Sequence, residues 1–251
     1  LMNQAVQLND ERLQDMLESQ VLDTESRWLG GFPNRYGLHE PGPAGGFVKR
    51  ATAAFLHADS EFYQDADLLE RIRLAMEFLE RGQTKDGNVS LLITNFNSPP
   101  DTAFLMTNLA TAARLAMDEG EERLLELMEP FMKKAAEGLV YGGVHTPNHR
   151  WVVSSALAQL YDLYGYEEFV HRIDEWLAEG IDIDPHGQYV ERSTTIYNAV
   201  TNKALTTIAL KLNRPELLEP VRKNLDSMAY LLHANGEVVT EISRRQDLGA
   251  R

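Results

Sequence analysis

The chain has no cysteine among its 251 residues. That excludes disulfides, thiolate metal ligands and a cysteine nucleophile, and it is compatible with a reducing compartment. It has no apolar run long enough to span a bilayer and no signal-peptide pattern at its start, so it reads as cytoplasmic, or as secreted or periplasmic if a signal has been removed. It is short of positive charge. Twenty-four Lys and Arg face 38 Asp and Glu, a formal net charge of −14, which argues against a nucleic-acid partner and against adsorption to an anionic membrane. An anionic ligand therefore needs positive charge gathered in a cleft. No His or carboxylate spacing of a zinc site occurs, no Gly-rich phosphate cradle and no nucleophile-elbow serine, so neither a metal nor a cofactor is expected.

What is present is mostly helical periodicity. Apolar spacing predicts helices over about 2–20, 44–57, 65–81, 101–117, 121–137, 151–164, 166–179, 194–212 and 215–232. Residues 28–46 are rich in Gly and Pro but carry Trp28, Phe32 and Tyr36, as an ordered loop would. A short apolar run at 89–93 leads into a polar loop, and 237–251 reads as extended and then loop-like.

Gly87, Gly143, Gly187 and Gly236 each close a helix pair and open a polar segment. A recurrence near 50 residues with two helices per unit is the signature of a helical-hairpin array. The predicted fold class is all-α, an (α/α) toroid or incomplete barrel of helical hairpins with a few short strands in the connecting loops. It forms a single domain over 1–251: an N-terminal helix and loop at 1–46, the array at 47–236 and an extended segment at 237–251. Every second connection of such an array lies at the same end. The loops 88–101, 143–150, 188–197 and 237–246 are accordingly expected on one face, around a cleft if the array closes and along a groove if it stays open.

The segment His145-Thr146-Pro147-Asn148-His149-Arg150-Trp151 packs polar groups around a helix start, where unpaired N–H groups and the helix dipole favour an anion. A capping role for Asn148 is the plainer reading. The other loops offer Asn95, Asn97 and Asp101, then Tyr189, Glu191, Arg192 and Tyr197, then Glu241, Arg244 and Arg245. Amides, guanidiniums, histidines and a tyrosine suit a hydroxyl-rich anionic ligand such as an acidic sugar chain. They also suit β-elimination on a uronate. There the carboxylate is neutralised, a base removes the adjacent proton, and an acid protonates the leaving glycosidic oxygen. Asn148, His149 and Tyr197 could fill these roles, with His145, Arg150, Glu191, Arg192, Asn95, Asn97, Asp101, Arg244 and Arg245 binding substrate.

Asn148-His149-Arg150-Trp151, followed by Gly187-Gln188-Tyr189-Val190-Glu191-Arg192-Ser193 and then Tyr197, resembles the heparinase II/III-like polysaccharide lyases and the related alginate lyases. The resemblance covers roughly residues 142–245. It implies an incomplete (α/α) toroid acting on acidic poly- or oligosaccharides, with Asn148 neutralising the uronate carboxylate, His149 assisting or acting as base, and Tyr197 as base, acid or both. Glu191 and Arg192 would position the tyrosine or the sugar. His186 departs from the pattern, standing where the family usually has Asp before the glycine. The family also follows its toroid with a β-sandwich that can supply a further histidine. A missing C-terminal domain of that kind, or a homo-oligomer, is the partner this implies. Two other functions fit the same residues: a glycoside hydrolase pairing Asp101 with Glu191 or Glu241, and a non-catalytic carbohydrate-binding toroid.

Overall fold

A computed structural model describes residues 2–144, 146–245 and 247. The described chain is all-α apart from one two-stranded hairpin. It divides into two compact units, Leu1–Gly142 and Gly143–Arg251.

The first unit holds α1 (Met2–Ser19), α2 (Pro41–Leu56), α3 (Ala66–Gly82), α4 (Pro99–Asp118) and α5 (Glu122–Tyr141). The antiparallel strands β1 (Val89–Leu91) and β2 (Asn95–Ser98) precede α4. Helices α2 and α4 pack together, flanked by α1, α3 and α5. The sequence dictates that layering. The helix α4 is lined with alanine (Ala103, Ala110, Ala112, Ala113 and Ala116, all buried), so neighbours approach it on several sides. Helices α3 and α5 are amphipathic and bury one stripe, through Ile72, Met76 and Leu79 in α3 and Met128, Phe131 and Met132 in α5.

The second unit repeats the arrangement with α6 (Pro147–Tyr164), α7 (Glu167–Ala178), α8 (Tyr197–Lys211) and α9 (Leu218–Ala229), the last preceded by a 3-10 turn at Pro215–Leu217. Helices α6 and α8 pair, α7 packs on α6, and α9 packs on α8. Nearly every residue of α6 from Asn148 to Leu160 is buried, the polar Asn148, Arg150, Ser154 and Ser155 included, with α7 and α8 packed against it.

Four loops share one tight turn. The amides of Asn34, Thr84, Asp184 and His233 donate to the carbonyls of Leu38, Asn88, Gln188 and Glu237 at 2.8, 2.8, 2.9 and 2.8 Å. Each turn carries a glycine in the left-handed region: Gly37, Gly87, Gly187 and Gly236, with φ of 76, 87, 86 and 85°. Gly143 is not among these left-handed glycines. The repeat therefore runs Gly37, Gly87, Gly187, Gly236, with separations of 50, 100 and 49 residues along the sequence. The place midway between Gly87 and Gly187 lies inside α5, which runs on to Tyr141.

The turns also dock helices. A Cβ on Gly87 would stand 2.0 Å from the Lys134 carbonyl oxygen of α5, and one on Gly187 would stand 2.4 Å from the Lys223 oxygen of α9. Amide side chains clamp both glycines from outside: Gln83 donates to the carbonyls of Gly87 and Phe131, and Asn224 donates to that of Gly187.

No helix among the described residues is long and apolar enough to cross a membrane.

Candidate active site

In the second unit the loop before α6 and the loop before α8 meet at two helix starts. Helix α6 begins at Pro147, four residues before the helix expected at 151. Asn148, His149 and Arg150 thus lie in its first turn, and Thr146 is the N-cap, with no capping bond from its own side chain. The free amides find their anion within the chain. Glu191 accepts from the backbone N of Asn148 at 3.2 Å, and from Nδ2 of Asn148 at 2.7 and 2.6 Å on its two oxygens. Asn148 is 1% exposed, and its Oδ1 is buried with no hydrogen-bond partner. Glu191 and His149 are half-buried.

Loop 187–195 is held rigidly. The Tyr189 hydroxyl donates to Asn202 at 2.8 Å, Asn202 donates to Asn224 at 2.8 Å, and Asn224 donates to the Gly187 carbonyl at 2.8 Å. Burial pushes the Tyr189 hydroxyl well above the usual tyrosine range, so it stays protonated and serves as a donor. Asp184 accepts from the backbone amides of Gln188 and His186, and those bonds, with Arg192 nearby, hold its carboxyl below the ordinary carboxylate range despite some burial. Arg192 lies 3.5 Å from Asp184 and has a φ of 47°, a conformation uncommon outside glycine.

Tyr197 is the first residue of α8. Its backbone N–H donates to Ser193 Oγ at 2.9 Å, and Ser193 Oγ donates to Asp247 at 2.9 Å. Ser243 also donates to Asp247, which is wholly buried. Burial pushes this carboxyl up. The hydrogen bonds from Ser243, Ser193 and Thr195 outweigh that and hold it below its ordinary value. The C-terminal segment is further pinned by the Arg244 amide, which donates to the Arg192 carbonyl at 2.9 Å. The result is that the guanidinium of exposed Arg245 stands 4.6 Å from the ring centroid of half-buried Tyr197. Polar contact with Tyr197 raises the Arg245 pKa against a desolvation penalty, and the charges of Glu191 and Asp247 add to the rise.

Of the residues singled out in the sequence, Asn148, Glu191, Tyr197 and Arg245 thus gather in one cluster, with His149 on the same first turn of α6 as Asn148. Arg150 is occupied elsewhere: Glu179 accepts from it at 2.8 Å, and Asp182 also pairs with it. His145 lies outside the described residues. Asn95, Asn97 and Asp101 belong to the first unit and form a network of their own. Ser98 caps α4 by accepting from the Asp101 amide, Asn95 donates to the Asp101 carboxylate, and Asn97 donates to Asp86. Glu241 is exposed near the C-terminal segment.

Sequence reasoning passed over Asp247 and the hydroxyls that hold it. The signal was the Ser193-Thr194-Thr195 run just before Tyr197, which reads as spacer until the tail folds back on it. Among the described residues no group of three or more His, Asp or Glu stands together as a metal site.

No protein-family model matches the chain, and no curated protein sequence does. Several solved structures share its fold. A sugar epimerase from a ruminal bacterium superposes with a TM-score of 0.62 at 12% identity, over 95% of this chain and 74% of that one. A GH127 β-L-arabinofuranosidase from Geobacillus stearothermophilus T6 superposes with a TM-score of 0.53 at 16% identity, over 91% of this chain and 44% of that one. At such identity the likeness is one of fold: all-α, toroid-like and built from helical hairpins.

Proposed function

We propose that this chain processes carbohydrate, and that its chemistry is β-elimination on a uronate-containing glycan. The sharing of fold with two carbohydrate-active enzymes supports the general reading. The single observation that carries the specific one is the placement of Arg245 over Tyr197, beside Glu191, at the start of α8.

Elimination needs a cation at the substrate carboxylate and a proton-transfer group near the adjacent carbon. Arg245 is exposed and carries a guanidinium, whose fork geometry matches a carboxylate. A uronate bound to it brings its ring against Tyr197, which serves as base and then as acid toward the leaving oxygen. His149, from the first turn of α6, assists in neutralisation or proton transfer. Asn148 is buried and already donates to Glu191, so its role is to position Glu191 rather than to touch the sugar. Glu191 in turn orients Arg245 by charge. Arg192 and Arg244 shape the loop and its docked tail.

Glycoside hydrolysis is the second reading, favoured by a carboxylate, Glu191, standing inside the cluster. The two separate on products. Elimination creates an unsaturated uronate that absorbs in the near ultraviolet, whereas hydrolysis creates a reducing end and no chromophore. We expect wild-type protein to raise near-ultraviolet absorbance on at least one acidic glycan of a panel, with Tyr197→Phe and Arg245→Ala lowering the rate about 100-fold or more, the scale of general acid–base and charge-stabilising groups. Reducing ends without the chromophore would transfer the chemistry to Glu191 and overturn elimination.

A further inference from the structure

The first unit contains a cavity of about 280 Å³ that none of the candidate site residues above line. Its walls combine an aromatic platform, two guanidiniums and an apolar floor. Trp28 stacks with His39 at 5.0 Å and 7°, nearly parallel. The Arg27 guanidinium stands 4.1 Å from the centroid of Trp28. Arg81 reaches in from the end of α3 and donates to the Leu29 carbonyl. Ser90 and exposed Leu92 complete the lining that matters here.

Arg27 and Arg81 are exposed, and among the described residues neither has a carboxylate within ion-pair distance, although the charge of neighbouring Glu80 reaches Arg81; other arginines, such as Arg35 and Arg50, share that lack, but these two stand at one pocket. Most guanidiniums elsewhere in the chain are neutralised by a neighbouring Asp or Glu, as Arg73, Arg123, Arg150, Arg214 and Arg222 are. Both of these cations sit at one pocket whose other walls are rings and aliphatic carbon. Burial lowers the His39 pKa, so the imidazole presents a neutral ring with one donor and one acceptor nitrogen.

We infer that this cavity is a binding site for a short acidic saccharide, distinct from the cluster at Tyr197. The volume is at the small end for ligand pockets and suits one or two sugar rings. The apolar C–H face of a ring lies against Trp28 and Leu92. Hydroxyls find His39 and Ser90, which both donate and accept. The carboxylate or sulfate group takes Arg27 and Arg81 through charge-assisted bonds. A neutral sugar gives neither guanidinium a charge partner. The assignment stands on the pocket alone and holds whatever reaction the other cluster performs.

Trp28 is half-buried, whereas Trp151 and Trp176 are 2% and 9% exposed, so Trp28 is the tryptophan placed to report a ligand by fluorescence. The full chain is titrated with tri-galacturonate and, separately, with neutral maltotriose. Expected are a saturable change with tri-galacturonate that weakens as salt is raised, no saturable change with maltotriose, and at least about tenfold weaker binding in each of Arg27→Ala and Arg81→Ala. Circular dichroism checks that both variants fold; Arg27→Lys, which keeps the charge, retains part of the affinity. Tyr197→Phe and Arg245→Ala bind as wild type does. No saturable change, equal binding of maltotriose, or unchanged affinity in the arginine variants overturns the site. Binding lost in Tyr197→Phe also overturns it, by placing the ligand at the other cluster. Binding retained with no near-ultraviolet product on any glycan of the panel would sink the proposed elimination and leave this site standing.

Discussion

Replacing Asn148 by Asp keeps the side chain's shape and reverses its role toward Glu191. In the wild type, Nδ2 donates to both Glu191 oxygens at 2.7 and 2.6 Å. In the variant a second carboxylate occupies that position, about as near as two oxygens can approach. At an effective dielectric of about 20 and a separation of about 3 Å, two unit charges repel by about 5 kcal/mol. Relaxation and water around half-exposed Glu191 reduce this, so the expected loss of stability at about pH 8 is about 2–4 kcal/mol. At about pH 4 the two carboxyls share one proton, an acid–carboxylate hydrogen bond replaces the amide's, and the loss falls to about 1 kcal/mol or less. The assay is urea unfolding across that pH range in a Trp28→Phe background. Trp151 and Trp176 then report the second unit alone. Adding Glu191→Gln restores a donor opposite the introduced carboxylate and should recover most of the stability at about pH 8. An Asn148→Asp loss that is the same at both pH values, or that Glu191→Gln fails to rescue, refutes the hold of Asn148 on Glu191.

Gly87→Ala and Gly37→Ala separate close approach from backbone strain. Both glycines have positive φ, but only the Gly87 position would drive a Cβ into a carbonyl, that of Lys134, while Gly37 faces open space. Gly37→Ala should cost about 1 kcal/mol and Gly87→Ala about 2–4 kcal/mol in urea unfolding, and equal costs would refute the docking role of the turn. The Asp247 carboxyl is held below its ordinary value, so it contributes stability above about pH 4 that is lost as the pH falls through its lower folded value. Proteolysis within 240–247 should therefore accelerate on acidification in wild type. Asp247→Asn should be cleaved fast at every pH, and a wild-type rate independent of pH would refute the latch. Arg150→Met leaves Glu179 and Asp182 exposed to water, so it should cost only about 1 kcal/mol and leave any turnover within about threefold of wild type.

Much of this fold can be read from period and punctuation. The helices stand where 3.6-residue spacing puts them, with some ends off by three or four residues, as at the end of α5, the start of α8 and the end of α9, and three starts shifted by proline. Pro41, Pro99 and Pro147 each open a helix two to four residues before the apolar pattern starts, because proline fits a first turn whose N–H has no partner. The roughly 50-residue rhythm is present too, but its markers differ. Gly143 follows a helix pair as the others do, yet a glycine marks the tight turn only when φ must be positive. Gly37, hidden in a loop crowded with other glycines, is such a residue and Gly143 is not. Sequence alone does not separate the two uses of glycine.

The site divides along the same line. Residue types and order pointed to Asn148, Glu191 and Tyr197, because a polar cluster at a helix start is visible in the chain. What each of them faces was not visible. The N-terminus of α6 was expected to attract an anion, and it does, but the anion is Glu191, 43 residues on, which satisfies the amide and the dipole from within. A substrate carboxylate must therefore look to a cation that the chain leaves accessible. In the proposed site the folding back of the tail, through Asp247 onto Ser193 and Thr195, supplies one by setting Arg245 above Tyr197. In the proposed elimination that long-range contact reassigns the roles: the buried asparagine supports Glu191, and Arg245, one of several arginines the sequence offered for substrate binding, is the group proposed to meet the sugar.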